Sequence, residues 1–150
     1  MSEFRPIRPS SPATPRWVEA ILRWPRLDVL LRLGLASAYL IGGVNKLMDF
    51  PGAVAEQAHF GLQPAAVWAV LAIAVELIAS LCLIAGRWVW LAAGALGVLT
   101  LVAMVVANDF WHLQGQARFM ALNAFFEHLG LIAGLACAAR IALLKRQGTG

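Results

Sequence analysis

The chain has 150 residues, of which 61% are hydrophobic and 13% are charged, and its mean hydropathy is +0.74. Soluble domains are about 45–50% apolar and about 25% charged, so this composition excludes an ordinary soluble domain and indicates a lipid-bilayer protein. The length suits one domain and leaves no room for a separate soluble catalytic domain. The net charge of +4 does not indicate nucleic-acid binding, because the basic residues lie between and beside apolar segments.

The N-terminal region is the least apolar part of the chain. Residues 1–14 are rich in Pro, Ser and Arg without apolar periodicity, which is typical of a mobile tail. The following stretch, TPRWVEAILRWPR, predicts a short basic amphipathic helix with Thr14 as its N-cap and Pro15 as its first residue. Its tryptophans suit a helix lying in the headgroup region. Residues 1–27 are therefore predicted to be a cytoplasmic tail with an interfacial helix.

Four segments are long and apolar enough to cross a bilayer, which requires about 20 residues each. They predict an all-α fold, a polytopic four-helix transmembrane bundle over residues 28–144, followed by a short tail at 145–150. The predicted spans are residues 28–48, 65–85, 88–107 and 117–144. A loop of residues 49–64, punctuated by two prolines, is predicted between the first two spans.

The basic residues predict the orientation of these spans. Of the 12 Lys and Arg residues, only Lys46 and Arg118 lie near the ends of the spans that face away from the termini. The positive-inside rule then places both termini in the cytoplasm of a bacterial-type plasma (inner) membrane. Residues 36–38 (ASA) are similar to a signal-peptide cleavage site, but Asp28 and Arg32 interrupt the apolar region before it, so we expect no cleavage.

Ionisable side chains within spans are costly in lipid and are functional candidates by default. Glu76 lies near the middle of the second span among small residues at helical spacing, and Glu127 lies at a similar depth in the fourth. Lys46 could snorkel to the outer surface or turn inward toward Asn123 and Glu127. The predicted buried polar site, for a ligand or for protons, consists of Lys46, Glu76, Asn123, Glu127 and His128.

Other reactive residue types point to no further site. The histidines lack metal-ligand spacing, so no metal is expected. Cys82 and Cys137 are predicted to be buried apolar thiols and not a disulfide. Gly130 and Gly134 form a GxxxG pattern on the same arc as Glu127, but this pattern is common in membrane helices and by itself indicates no particular contact. Catalytic residues cannot be assigned from these patterns.

Three segments resemble the DoxX family of small membrane proteins. The first is Arg32-Leu-Gly-Leu with Gly42-Gly-Val-Asn-Lys46-Leu-Met-Asp-Phe50, the second runs from Glu76 to Gly86, and the third from Phe126 to Gly134. The resemblance spans about residues 28–142 and implies a four-helix membrane bundle with Lys46 and Glu76 as family-pattern positions. Glu127 and His128 stand where the family more often has a lysine.

The resemblance also implies a redox setting, since some relatives are small subunits of thiosulfate:quinone oxidoreductase and others are associated with oxidative-stress complexes. The expected function is an accessory or quinone-linked subunit of a membrane redox complex, non-catalytic alone or part of a quinone-linked oxidoreductase, with a redox protein as partner. One alternative is a small proton-coupled carrier or channel that uses Glu76 and Glu127 as a relay and forms a homo-oligomer. Another is a non-catalytic assembly factor whose polar residues serve packing.

Overall fold

The structure is a computed structural model that describes residues 14–147, and all regular secondary structure in that range is helical. The helices are α1 Arg16–Leu22, α2 Leu27–Met48, α3 Phe50–His59, α4 Ala65–Ala85, α5 Val89–Ala107 and α6 Gly115–Gln147. Helices α2, α4, α5 and α6 are long and apolar enough to span a membrane. The predicted all-α fold with four spans is thereby confirmed. The tail predicted for residues 1–14 lies outside the described residues, apart from Thr14.

Helix α1 begins one residue later than predicted. Pro15 has a ψ of 141°, which is extended, so it is the N-cap of α1 and not its first residue. No described side chain, that of Thr14 included, caps the helix, so the prediction of Thr14 as the N-cap is wrong. Glu19 and Arg23 form an ion pair of 2.6 Å one turn apart. Helix α1 buries none of its residues.

The four spans pack in chain order around a small-residue core. Helix α2 packs along α4, α5 returns along α4 after a tight turn, and α6 packs along α5 over a long interface. Helix α6 touches α2 only slightly. The turn between α4 and α5 is at Gly86, whose φ of +71° is left-handed and favours glycine. The buried core draws on all four spans and includes Ala36, Leu83, Leu96 and Leu135.

The segment between the first two spans is a helix, and the prediction of a loop there is wrong. Helix α3 starts where the Asp49 carboxylate accepts a hydrogen bond of 3.0 Å from the backbone N–H of Gly52. Pro51 lies at the start of this helix, where the missing N–H has no intrahelical partner to lose. Helix α3 packs against the beginning of α4. It therefore covers the end of the bundle at which α2 finishes.

Helix α6 is longer than its neighbours, and its first turns extend past them. Its 33 residues measure about 50 Å, whereas the 19 residues of α5 measure about 28 Å. Residues 115–120 are all exposed. The connection back to α5 is held by aromatic packing, with the Phe125 ring 5.3 Å from Phe110 and 6.0 Å from Trp111. The thickness of a bilayer core, about 30 Å, is matched by α5 and exceeded by α6.

Candidate functional site

The centre of the candidate site is an ion pair between two spans. The Lys46 ammonium donates a hydrogen bond of 2.6 Å to the Glu76 Oε1 atom. The two side chains are 23% and 9% exposed, respectively. Of the two orientations considered for Lys46, the structure has the inward one, and its partner is Glu76 and not Asn123 or Glu127. A carboxylate within a span thus has its counter-charge on the neighbouring helix, as membrane interiors require.

Two glycines of α2 allow the helices to approach at this point. A Cβ atom added to Gly43 would lie 2.9 Å from Leu77 Cδ2 and 3.1 Å from Glu76 Cβ. A Cβ atom added to Gly42 would lie 3.5 Å from Glu76 Oε2, which is ordinary contact. Gly43 is therefore the position where a side chain would crowd the contact between α2 and α4, and Gly42 borders the carboxylate.

Glu76 lies in a π-helical turn, Val75–Ala79, which interrupts the α-helical hydrogen bonding of α4. Such single turns insert one residue into a helix, and they occur frequently at functional sites. Glu76 and Leu77, whose side chains contact Gly43, both belong to this turn. The sequence carries no marker for it, since the surrounding residues are ordinary apolar helix formers.

The second oxygen of the Glu76 carboxylate has no hydrogen-bond partner in the part of the chain that the structure describes. Oε2 is buried and makes no hydrogen bond within the described residues, whereas Oε1 binds Lys46. A buried acceptor without a partner is uncommon in native structures, because its desolvation is not compensated. The carboxylate is therefore ready to accept a hydrogen bond from a donor that is not part of this chain.

A cavity of about 330 Å³ lies beside the ion pair. Its polar wall consists of Lys46 and Glu76 together with Glu56 and Gln57 of α3. The remaining walls are apolar side chains, most of them from α4 and α5, among them Trp68, Leu71, Val98, Leu99 and Val102. Leu71, Val98 and Val102 are also exposed on the outside of the bundle, so the cavity opens toward the surface that would face lipid.

The predicted site residues of the fourth span lie elsewhere. Asn123 and Glu127 are exposed on α6, and neither makes a side-chain hydrogen bond or ion pair with another described residue. His128 is half-buried, and its Nδ1 atom lies 2.5 Å from the Ala124 carbonyl oxygen of its own helix. The structure thus brings Lys46 and Glu76 together and does not join the other three to them. A role for Asn123, Glu127 and His128 in the same site stays a prediction.

Sequence reasoning did not single out Tyr39, which forms a second polar link between spans. The Tyr39 hydroxyl lies 2.6 Å from Thr100 Oγ1, and the Thr100 hydroxyl donates a hydrogen bond of 2.7 Å to the Leu96 carbonyl. Since the threonine has one proton, Tyr39 is the donor to Thr100. The signal in the sequence was its position one helical turn before Gly43, on the face of α2 that packs inward.

Reactive groups elsewhere in residues 14–147 do not form a metal site, since no three His, Cys, Asp or Glu side chains lie close enough together. Cys82 is half-buried, and Cys137 is exposed, which differs from the prediction that both thiols are buried. Both cysteines are free of disulfide bonds. Of the two glycines in the GxxxG pattern, Gly130 has open space at its Cβ position, whereas a Cβ atom on Gly134 would lie 3.3 Å from Leu35.

The fold and the ion pair define a class, a small polytopic α-helical membrane protein with a charged pair between its first two spans. The DoxX family model matches the chain over residues 27–109, more than half of its length. The chain therefore belongs to the DoxX family. The match includes both members of the ion pair and ends before α6, although the resemblance was expected to reach residue 142. Neither the curated proteins nor the solved structures contain a significant match to the chain.

Proposed function

We propose that this DoxX-family protein is an accessory, quinone-linked subunit of a membrane redox complex and binds a quinone beside Lys46 and Glu76. The observation that carries the proposal is the apolar cavity whose polar wall holds a paired ammonium and a carboxylate with one unpartnered buried oxygen. Pockets of this kind, mostly apolar with a few convergent polar groups, are typical of small-molecule sites. The opening toward the lipid-facing surface suits a ligand that reaches the site from the bilayer.

The residues of the cavity fit both the oxidised form of the ligand, a quinone, and its reduced form, a quinol. Lys46 has three donors, and Glu76 Oε1 uses one of them, so another can donate to a quinone carbonyl oxygen. Glu76 Oε2 can accept from a quinol hydroxyl. The aromatic and aliphatic side chains of α4 and α5, such as Trp68 and Leu99, provide an apolar surface for the ring.

The quinone would supply two-electron chemistry, and the residues of this chain would bind it and manage protons. Lys46 would orient the ring through its carbonyl oxygen. Glu76 would hold or release a proton at Oε2, because that atom has no hydrogen-bond partner among the described residues. Helix α3 would exclude water from this end of the cavity, since Glu56 and Gln57 form part of its wall. Electrons would come from a redox protein partner.

The exposed face of α6 is the surface on which we place that partner. Glu127 is an ionisable residue exposed in a helix long enough to span the bilayer, and an isolated ionisable group facing lipid is costly. Gly130 lies on the same face with open space at its Cβ position, so another helix could pack there closely. A partner helix with a cationic or hydrogen-bonding side chain would satisfy Glu127. A homo-oligomer formed through this face is the competing arrangement.

Quinone binding can be measured on the purified full chain in mild detergent, with decyl-ubiquinone as the probe, tryptophan fluorescence quenching as the readout and decyl-ubiquinol as a competitor. Glu76→Gln should weaken binding of the quinol by about 10-fold or more, because a hydrogen bond to a charged group is worth about 1.5–3 kcal/mol. Lys46→Met should weaken binding of the quinone similarly. Glu127→Gln, which removes a carboxylate outside the cavity, is the matched control and should bind as the parent protein does. Equal affinity in all four proteins would exclude this site for quinone.

A further inference from the structure

A second cavity lies at the other end of the bundle and plays no part in the proposed quinone site. Its volume is about 830 Å³, within the range of about 300–1,000 Å³ that is usual for small-ligand sites. It is bounded by Arg32 near the start of α2, the turn between α4 and α5, and the last turns of α6. Arg32 precedes Lys46 by 14 positions on α2, which is about 21 Å along the helix. We call this cavity the basic pocket.

The charge of the basic pocket has one sign. Its charged lining residues are Arg32, Arg87, Arg140, Lys145 and Arg146, and among residues 14–147 no acidic side chain lines it. Asp28 lines the adjacent groove, where it pairs with Lys145. Arg87 and Arg140 are exposed and make no ion pair with a described residue, and the Arg87 guanidinium lies 5.9 Å from the Trp88 ring centre. An anion in this pocket would meet several guanidinium groups together.

Arg32 is held in place by the turn that follows α4. A Cβ atom on Gly86 would lie 2.5 Å from Arg32 Nη1, so the guanidinium packs directly against the glycine backbone. Arg32 Nε is buried and makes no hydrogen bond with the described residues. Guanidinium groups bind phosphate through two parallel hydrogen bonds, and this one has an unsatisfied buried donor beside an open pocket.

The apolar part of the lining indicates what kind of anion would bind. Trp88 and Trp90 are more than 60% exposed at the ends of apolar spans, where tryptophans mark the membrane interface. Val89 and Leu143 add aliphatic surface to the same pocket. A ligand that satisfies both parts carries a phosphate and hydrocarbon chains. Basic pockets between transmembrane helices are known sites for anionic lipid headgroups.

We propose that the basic pocket binds one anionic phospholipid, with its phosphodiester between Arg32, Arg87 and Arg140 and its glycerol end against Trp88 and Trp90. The lipid would bridge α6 to the turn between α4 and α5. This bridge would also join α6 to Arg32 of α2, a helix that α6 otherwise touches only slightly. The proposal is independent of the quinone site.

Lipid binding is tested on the full chain, delipidated in mild detergent and titrated with dioleoyl phosphatidylglycerol under native mass spectrometry. The double variant Arg87→Gln/Arg140→Gln should lose about 30-fold in affinity, since each arginine near a headgroup contributes about fivefold. The matched control Arg26→Gln/Arg118→Gln removes the same charge outside the pocket and should lose less than about threefold. Circular dichroism and gel filtration establish that both variants fold.

Three outcomes would overturn the proposal. One is an equal loss in the two double variants, which would mean that net charge and not the pocket attracts the lipid. Another is equal binding of dioleoyl phosphatidylcholine, which would mean that the negative headgroup is not recognised. The third is displacement of phosphatidylglycerol by inorganic phosphate at equal concentration, which would identify a site for a free anion. Selective binding of phosphatidylglycerol that fails only in the Arg87→Gln/Arg140→Gln variant would establish the lipid site.

Discussion

Lys46 and Glu76 have unequal access to water, and the difference sets how each tolerates the loss of its partner. Lys46 is in the last turn of α2 and is 23% exposed, so its long stem could carry the ammonium to the headgroup region. Glu76 lies in the middle of α4 with 9% of its side chain exposed, and its carboxylate has no such route. An unpaired charge in a buried site costs several kcal/mol. Lys46 is thus the partner on which Glu76 depends.

The two glycines opposite Glu76 provide a prediction with its own control. Gly43→Ala places a Cβ atom 2.9 Å from Leu77 Cδ2 and 3.1 Å from Glu76 Cβ, so Leu77 must shift or α2 and α4 must move apart, which should cost about 1–3 kcal/mol of unfolding free energy. Gly42→Ala makes only ordinary contact at 3.5 Å, and its better helix propensity offsets what strain remains. Thermal unfolding in detergent, followed by circular dichroism, measures both.

If Gly42→Ala and Gly43→Ala unfold at the same temperature, α2 and α4 do not approach each other closely at Gly43.

The ion pair of Lys46 and Glu76 shows what a sequence can indicate at the scale of residues. Lys46 and Glu76 were expected as site residues because charge within a span is costly. Their pairing with each other was not expected, because the contact between two side chains depends on which helices are neighbours. It also depends on which of the two adjacent glycines of α2 faces α4.

At the scale of elements, α3 and the π-helical turn were not predicted, for different reasons. Pro51 was interpreted as a break, although a proline at the start of a helix loses no intrahelical bond. Asp49, two positions before it, supplies the cap, so the start signal of α3 was present in the sequence. The π-helical turn around Glu76 has no such signal. It is formed where α4 meets the glycines of α2, and this is a property of tertiary packing.

The cap of α3 can be tested by its effect on local opening. Asp49→Ala removes the acceptor for the Gly52 N–H and should cost α3 about 0.5–2 kcal/mol. The amides of α3 should then exchange with deuterium about 2- to 30-fold faster. Asp49→Asn keeps a side-chain oxygen at the N-cap and should stay close to the parent protein. Unchanged exchange in Asp49→Ala would mean that packing against α4 alone holds α3.

At the scale of the whole molecule, the four spans could be predicted to within about three residues at each end, because a bilayer requires long, uninterrupted apolar segments. The second span has the predicted limits, Ala65–Ala85. The order of packing could not be predicted, since lipid-facing and helix-facing residues are similarly apolar in a membrane. For the same reason the expected proximity of Glu76 and Glu127 could not be decided from their depth. The depth of a residue in the membrane follows from its position in the sequence, whereas the neighbouring helix that its side chain faces depends on how the helices pack.

The remaining question at this scale is orientation, for which we propose that both termini are cytoplasmic. The basic pocket lies at the end of the bundle that the positive-inside rule assigns to the cytoplasm. This agrees with its proposed ligand, since anionic lipids give the cytoplasmic leaflet its negative surface potential. Gln114, between α5 and α6, and Gln147, at the end of α6, lie at opposite ends of one long helix, and both are exposed.

Single cysteines at these two positions test the orientation, in a background where Cys82 and Cys137 are replaced by serine. A membrane-impermeant maleimide applied to intact cells should label Gln114→Cys and should label Gln147→Cys only after the membrane is opened. The reverse pattern would show that the basic end faces outward, against the distribution of charge. Labelling of both positions in intact cells would mean that α6 does not cross the membrane, and the basic pocket could then not lie at the cytoplasmic leaflet.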